Sequence, residues 1–293
     1  MPTPDTLTPA GSGVIHDIGY RRYTGPRLGR RQVATALYAH SVRTAFGLGR
    51  SAKAKIFPWL LVGVVGVVAA VLTAVRAQTG QWLISYAEFP ENMIVLVIFF
   101  CAVVAPELVS RDLHSGVLPL YFARPLNRAD YPVAKLAALI TAVFLLLAGP
   151  LTVMFAGAAF NLDDGSAVWR EFKDWAPSLG YAALYAVVFS AVSLLVAALV
   201  KRRAVAAAAV VGSFLVTTPV VGVLAVLPNR TAAELSGLAS PATLVSGVGD
   251  WWLDPGGRSG IGHWGPLYAV VTLALVVVCA VLLLARYRKV ASS

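Results

Sequence analysis

The sequence predicts an all-α membrane protein with six transmembrane helices, and three observations predict it. The chain of 293 residues is 58% hydrophobic and 13% charged, with a mean hydropathy of +0.74. Soluble domains carry about 25% charged residues. Several apolar runs reach the roughly 20 residues that cross a hydrocarbon layer of about 30 Å. The basic residues are also asymmetric: with six spans, nineteen of the 24 Lys and Arg fall on one side and five on the other. That is the positive-inside pattern, and it places both termini in the cytoplasm. It also accounts for the net charge of +10 without nucleic acid as a partner.

Residues 1–29 are rich in Pro, Thr, Gly and Ser and end in a basic cluster that includes Arg21, Arg22 and Arg27. They read as a mobile basic tail. The first 50 residues hold no apolar core of the kind a cleaved signal needs. Over 30–50 the pattern is helical, with Val33, Leu37, Ser41, Thr44 and Leu48 on one side and basic residues flanking them. This predicts an N-terminal interfacial amphipathic helix on the inner membrane surface, or else a basic juxtamembrane anchor with no further role. Gly47, Gly49 and Lys53 look superficially like a phosphate-binding loop, but the spacing and the strand such a loop follows are both missing.

The six-span region covers 57–285, with spans near 57–75, 92–109, 133–160, 179–200, 204–227 and 266–285. Pro58 suits the first turn of span one and Trp59 the interface. Pro106 is placed to bend span two by removing a backbone donor. A polar loop carrying Asp163, Asp164, Trp169, Glu171, Asp174 and Trp175 is expected between spans three and four. Lys201, Arg202 and Arg203 alone join spans four and five, which requires a tight antiparallel hairpin. Thr217, Thr218 and Pro219 lie inside span five. In the long outer loop 228–265, residues 239–253 read either as a short helix dipping into the interface on Trp251 and Trp252, or as ordinary surface loop. A basic tail, 286–293, closes the chain in the cytoplasm.

Within the spans, only Glu107 and Lys135 are ionisable, and both lie at cytoplasmic ends. Ion-coupled carriers and proton relays keep carboxylates or histidines deep in the membrane, and no span here carries one away from its cytoplasmic end. His16, His40, His114 and His263 are scattered, so no metal site is expected. Cys101 and Cys279 lie in apolar runs, as packing residues rather than a disulfide framework. No catalytic set is visible, so the chain is not expected to be an enzyme by itself, nor to bind a cofactor. Energy would have to come from a partner.

The patterned polar stretch from Glu107 to Lys135 is where such a partner would dock. Glu107 and Arg111 are spaced i,i+4 with the acid first, the favoured order for a helical ion pair. Gly116 permits the turn that ends the helix, and Leu118, Leu120, Tyr121 and Phe122 offer apolar side chains. Arg124 and Pro125 break that element. Asn127 can cap the next helix, with Asp130 three residues on and Pro132 in the first turn. The alternative is a loop that packs only on its own neighbours.

The run Glu107, Arg111-Asp112, Gly116-Val117-Leu118, Arg124-Pro125, Arg128, Tyr131 and Lys135 resembles the hallmark of the type-2 ABC transporter permeases. That resemblance covers about thirty residues of motif, and the six-span layout extends it. It implies an interfacial helix before span one, a cytoplasmic coupling helix between spans two and three, and a last outer loop with short re-entrant helices. Two separate ABC ATPase subunits, which carry ATP and Mg, and a second permease copy or homologue are implied as partners. The implied ATPase-coupling residues are Glu107, Arg111, Asp112, Gly116, Leu118, Arg124, Pro125 and Arg128. An exporter of a hydrophobic or amphipathic substrate follows as the expected function. Phe99, Phe100, Thr217 and Thr218 are expected along its path, and the bacterial plasma membrane is its expected location. Two other readings stay open: an ATPase-coupled mechanical or maturation subunit acting on an extracytoplasmic partner, and a membrane scaffold or sensor.

Overall fold

The computed structural model describes residues 25, 29–114, 127, 129–253 and 260–290, and of 110–114 and 290 the backbone alone. All regular structure among them is helical. In order these are α1 (Arg30–Ala45), α2 (Ala52–Thr79), α3 (Phe89–Asn92), α4 (Ile94–His114), α5 (Asp130–Phe160) and α6 (Gly165–Leu199). There follow α7 (Arg203–Leu215), α8 (Thr217–Ala225), α9 (Arg230–Leu235), a 3-10 turn (Ser236–Ala239), α10 (Pro241–Leu253) and α11 (Gly265–Val290). Five stretches are long and apolar enough to cross a membrane: α2, α5, α6, α7 with α8, and α11. The chain is a multi-pass membrane protein. The apolar part of α4, Ile94–Val109, is shorter than these five.

The helix at 30–50 ends earlier than its sequence pattern suggests. After Ala45 the Gly47 N–H bonds to the Thr44 carbonyl at 2.9 Å and the Leu48 N–H to the Arg43 carbonyl at 2.8 Å. This is a Schellman ending, with Gly47 at φ +68°. Leu48 falls in the turn and is exposed rather than on the apolar side. A Cβ at residue 47 would lie 2.6 Å from the Ala54 carbonyl oxygen. The glycine run therefore serves a tight reversal. Only Leu37, Ser41 and Ala45 are buried in α1, where it packs along the start of α5. Arg30 holds Asp130 through two bonds of 2.7 Å, and the Tyr38 hydroxyl meets Thr141 Oγ1 at 2.9 Å.

Span one also differs from expectation. Helix α2 begins at Ala52, so Pro58 is inside it rather than in its first turn. Proline leaves the Ala54 carbonyl without its helical donor, and it is at this carbonyl that Gly47 approaches. Trp59 donates from Nε1 to the Phe46 carbonyl at 3.1 Å, tying the two helices across their turn. Ser85 and Glu88 then form a reciprocal capping box: the Ser85 N–H bonds to Glu88 Oε2 at 2.6 Å and the Glu88 N–H to Ser85 Oγ at 3.3 Å.

The polar loop expected before span four is mostly helix. Asp164 accepts from the Ser166 N–H at 3.1 Å and starts α6 fourteen residues before the predicted span. At 35 residues α6 is about 52 Å long, well beyond a hydrocarbon layer. The extension is held because Trp169, Phe172 and Trp175 form a ring cluster with Phe155 of α5. Glu171 pairs with Arg76 at the end of α2 and accepts from the Tyr86 hydroxyl at 2.8 Å. The rest of α6 is the central helix. Its apolar window is 67% buried, against 17–44% for the other four candidate spans.

Span five is two helices. Pro219 cannot donate to the Leu215 carbonyl, and its ring crowds that carbonyl. The helical hydrogen-bond pattern is interrupted between α7 and α8, although Val216 keeps helical dihedrals and its N–H still bonds to the Gly212 carbonyl at 2.9 Å. Residues 239–253 are helical from Pro241, which settles them as something other than ordinary loop. Helix α10 lies on α6 and α11, and its glycines make the close approach possible. A Cβ at Gly247 would be 2.3 Å from the Tyr268 ring, and one at Gly249 would be 2.3 Å from that of Tyr181.

Candidate functional site at the Glu107 end of the helices

Glu107 lies at the last apolar turn of α4, with its side chain 5% exposed. Arg50, from the turn before α2, and Arg203, the first residue of α7, both pair with it. The Arg203 Nη1 to Glu107 Oε2 distance is 2.7 Å. Three segments far apart in sequence therefore meet on one carboxylate. A carboxylate this buried needs compensating charge, because desolvation otherwise favours its neutral form. The i,i+4 spacing pointed to Arg111 as the partner. That side chain lies outside the described residues; among them, Arg50 from the turn before α2 and Arg203 from α7 pair with Glu107.

Arg50 and Arg203 were not singled out as site residues. Each sits in a basic stretch beside a span, where a positive-inside residue is expected anyway. Their basic surroundings were legible, but their shared partner was not.

A cavity of about 320 Å³ opens beside this carboxylate. The carboxylate end of α4 also leads directly toward the patterned loop. Asp112, like Arg111, has only its backbone described, and Gly116, Leu118, Arg124, Pro125 and Arg128 lie outside the described residues. Beyond the loop, the Asp130 side chain accepts from the Asn127 N–H at 3.0 Å. Asn127 does not cap the helix as expected: α5 begins at Asp130, with Ala129 as its N-cap and no side-chain cap bond. Tyr131 is fully buried, with Lys135 Nζ 5.3 Å from its ring centre and the Tyr287 ring 5.2 Å away. The described residues on either side of 115–126 are thus held in the bundle, Glu107 by Arg50 and Arg203, and Asp130 and Tyr131 by Arg30, Lys135 and Tyr287.

The four residues expected along a path are not gathered in one place. Phe99 is exposed on α4, whereas Phe100 is fully buried, 6.0 Å from the Phe46 ring. Thr217 and Thr218 mark the break in span five. Thr217 Oγ1 donates to Ser240 Oγ at 2.9 Å, and Thr218 bonds back to the Phe214 carbonyl at 3.3 Å. Among the described residues no cluster of three or more His, Cys, Asp or Glu could hold a metal. Cys101 and Cys279 are free and buried.

The opposite end carries a second polar group. Tyr181 of α6 donates to Glu91, and the Tyr185 hydroxyl meets Ser246 Oγ of α10 at 3.0 Å. Burial, with the nearby Asp250 carboxylate, raises the Glu91 carboxyl above its ordinary value, against the hydrogen bonds from Tyr181 and Ser246. Glu234 is shifted the other way, held low by its bond from Arg230 and a further one from Trp264.

No protein-family profile matches the chain, and no curated protein matches it.

Proposed function

We infer that this chain is a membrane-embedded subunit driven by a cytoplasmic partner. More particularly, it is the permease of an ATP-driven ABC transporter that exports a hydrophobic or amphipathic substrate. In this reading α4 is the second of six spans, with its extramembrane end, both termini and the 115–126 segment in the cytoplasm. Two ABC ATPase subunits supply ATP and Mg, and a second copy completes the membrane body.

One observation carries the reading. Glu107, where α4 hands over to the patterned loop, is clamped by arginines that begin span one and span five. A push on the loop would therefore reach three helices through one ion-paired joint. Helices α7 and α8 suit a moving element: their shared apolar stretch is only 17% buried within the chain, and Pro219 already removes a bond from their shared ladder.

The test is affinity purification of the tagged full-length protein from its native membrane. A P-loop ATPase is expected to co-purify. Glu107→Ala and Gly116→Pro are expected to insert normally while weakening ATPase attachment or stimulation. An insertion-competent Glu107→Ala and Gly116→Pro pair with undiminished ATPase stimulation would remove the coupling role. Purification without any ATPase would favour the scaffold reading.

A further inference from the structure

The cavity beside Glu107 is lined by polar and charged groups from four segments, and its charge is lopsided. Arg50, Lys53 and Arg203 face one carboxylate, Glu107, and among the described residues no other acid lines it. Lys53 makes no ion pair among the described residues, and Arg203 is 58% exposed even while it pairs. Among the described residues the lining thus carries three cations against one carboxylate, and Lys53 and Arg203 are both open to an incoming ion.

The start of α2 adds to this. Ser51 precedes the helix without a side-chain cap bond, and the first turn contains no acid. The first N–H groups of a helix carry partial positive charge and are natural anion ligands. Here the helix supplies no anion of its own, and three cationic side chains stand around the opening. About 320 Å³ falls within the ~300–1,000 Å³ of small-ligand sites. One turn further along α2, Ile56, Trp59 and Leu60 are exposed by 62%, 49% and 54%. This places apolar surface directly next to the basic opening.

We propose that this cavity binds a phosphate-bearing anion, either the headgroup of an anionic phospholipid or free phosphate. Bound there, the anion bridges the start of α2 to the start of α7. It also competes with Glu107 for the two guanidiniums. The occupancy of the cavity then sets how tightly the Glu107 joint is closed. The inference stands on the cavity and its charges, and does not rest on the transport reading.

The experiment uses the full-length protein in neutral detergent. It is incubated with equal amounts of phosphatidylglycerol and phosphatidylcholine, with and without millimolar inorganic phosphate, and the retained lipid is counted by native mass spectrometry. Phosphatidylglycerol is expected to be retained in preference. Lys53→Gln, at an exposed position the fold does not need, lowers that retention about fivefold, the effect of one lost basic charge at a membrane surface. Adding Arg203→Gln lowers it further, and Lys53→Arg restores it. Glu107→Gln raises it, because the internal competitor is gone. Displacement by inorganic phosphate assigns the site to the free anion, and persistence assigns it to the lipid headgroup; both uphold phosphate recognition. Equal retention of the two lipids by the wild type overturns the proposal. So does unchanged retention of phosphatidylglycerol by the Lys53→Gln/Arg203→Gln variant.

Discussion

Glu91 and Glu107 are both acids at the edge of an apolar body, yet their partners differ in kind. Glu107 is compensated by two guanidiniums. Glu91 faces hydroxyls from Tyr181 and Ser246 and a second carboxylate, Asp250, so its ionisation is resisted. A raised native value means the folded protein binds more protons than the unfolded chain between the ordinary 4.5 and the raised value. Stability then falls as pH rises through that window. The expected outcome is a melting temperature in detergent that declines as pH climbs from 4.5, with a shallower decline in Glu91→Gln. An identical slope in the variant would mean that other groups control the pH dependence. The sequence showed both acids but not this contrast, since charge compensation comes from residues 57 and 96 positions away for Glu107 and none is described for Glu91.

At the scale of elements, the boundaries that local chemistry controls were legible and those controlled by packing were not. The connection at 201–203 forces α6 and α7 side by side, and they are. Asp164 was visible as an acid in a loop, but nothing local said that it would cap a 35-residue helix. Ring packing against Phe155 and the Arg76–Glu171 pair hold that extension, and both are long-range. In a membrane, such contacts matter through close packing and hydrogen bonding, because lipid is as apolar as the helix surface. The break in span five, by contrast, is local in origin. Spin labels at the exposed Val205 and Val223 span a segment that would be about 27 Å long as one continuous helix. Pro219→Ala is expected to lengthen the measured distance toward that value. An unchanged distance would place the cause in the packing of α8 on the 3-10 turn instead.

For the whole molecule, the decisive question is whether α4 crosses. Its apolar stretch covers 16 residues, Ile94–Val109, or about 24 Å, so it needs the adjoining turns or a locally thinned bilayer to span. Thr79 and Asn127 flank it at the end of α2 and before α5. With Cys101 and Cys279 replaced by Ala, Thr79→Cys is expected to react with an impermeant thiol reagent in intact cells, and Asn127→Cys only after lysis. Equal labelling of the two would leave five crossings, and the reverse pattern would turn the protein over. A protein inverted in this way would put the Glu107 joint and its basic cavity outside the cell.

By itself the sequence determined the class of the protein. Low charge and long apolar runs can be read residue by residue, because the membrane acts on each segment as a solvent. It also set out the patterned stretch from Glu107 to Lys135, with an ionisable residue at each end. What only the tertiary structure decided is which distant groups share a partner. Arg50 and Arg203 look like any other basic flank until three helices bring them to one carboxylate. Gly247 and Gly249 look like loop glycines until tyrosine rings from α11 and α6 fill the space beside them. Such pairings depend on how helices pack against one another, and the spacing of residues along one chain segment carries no record of that.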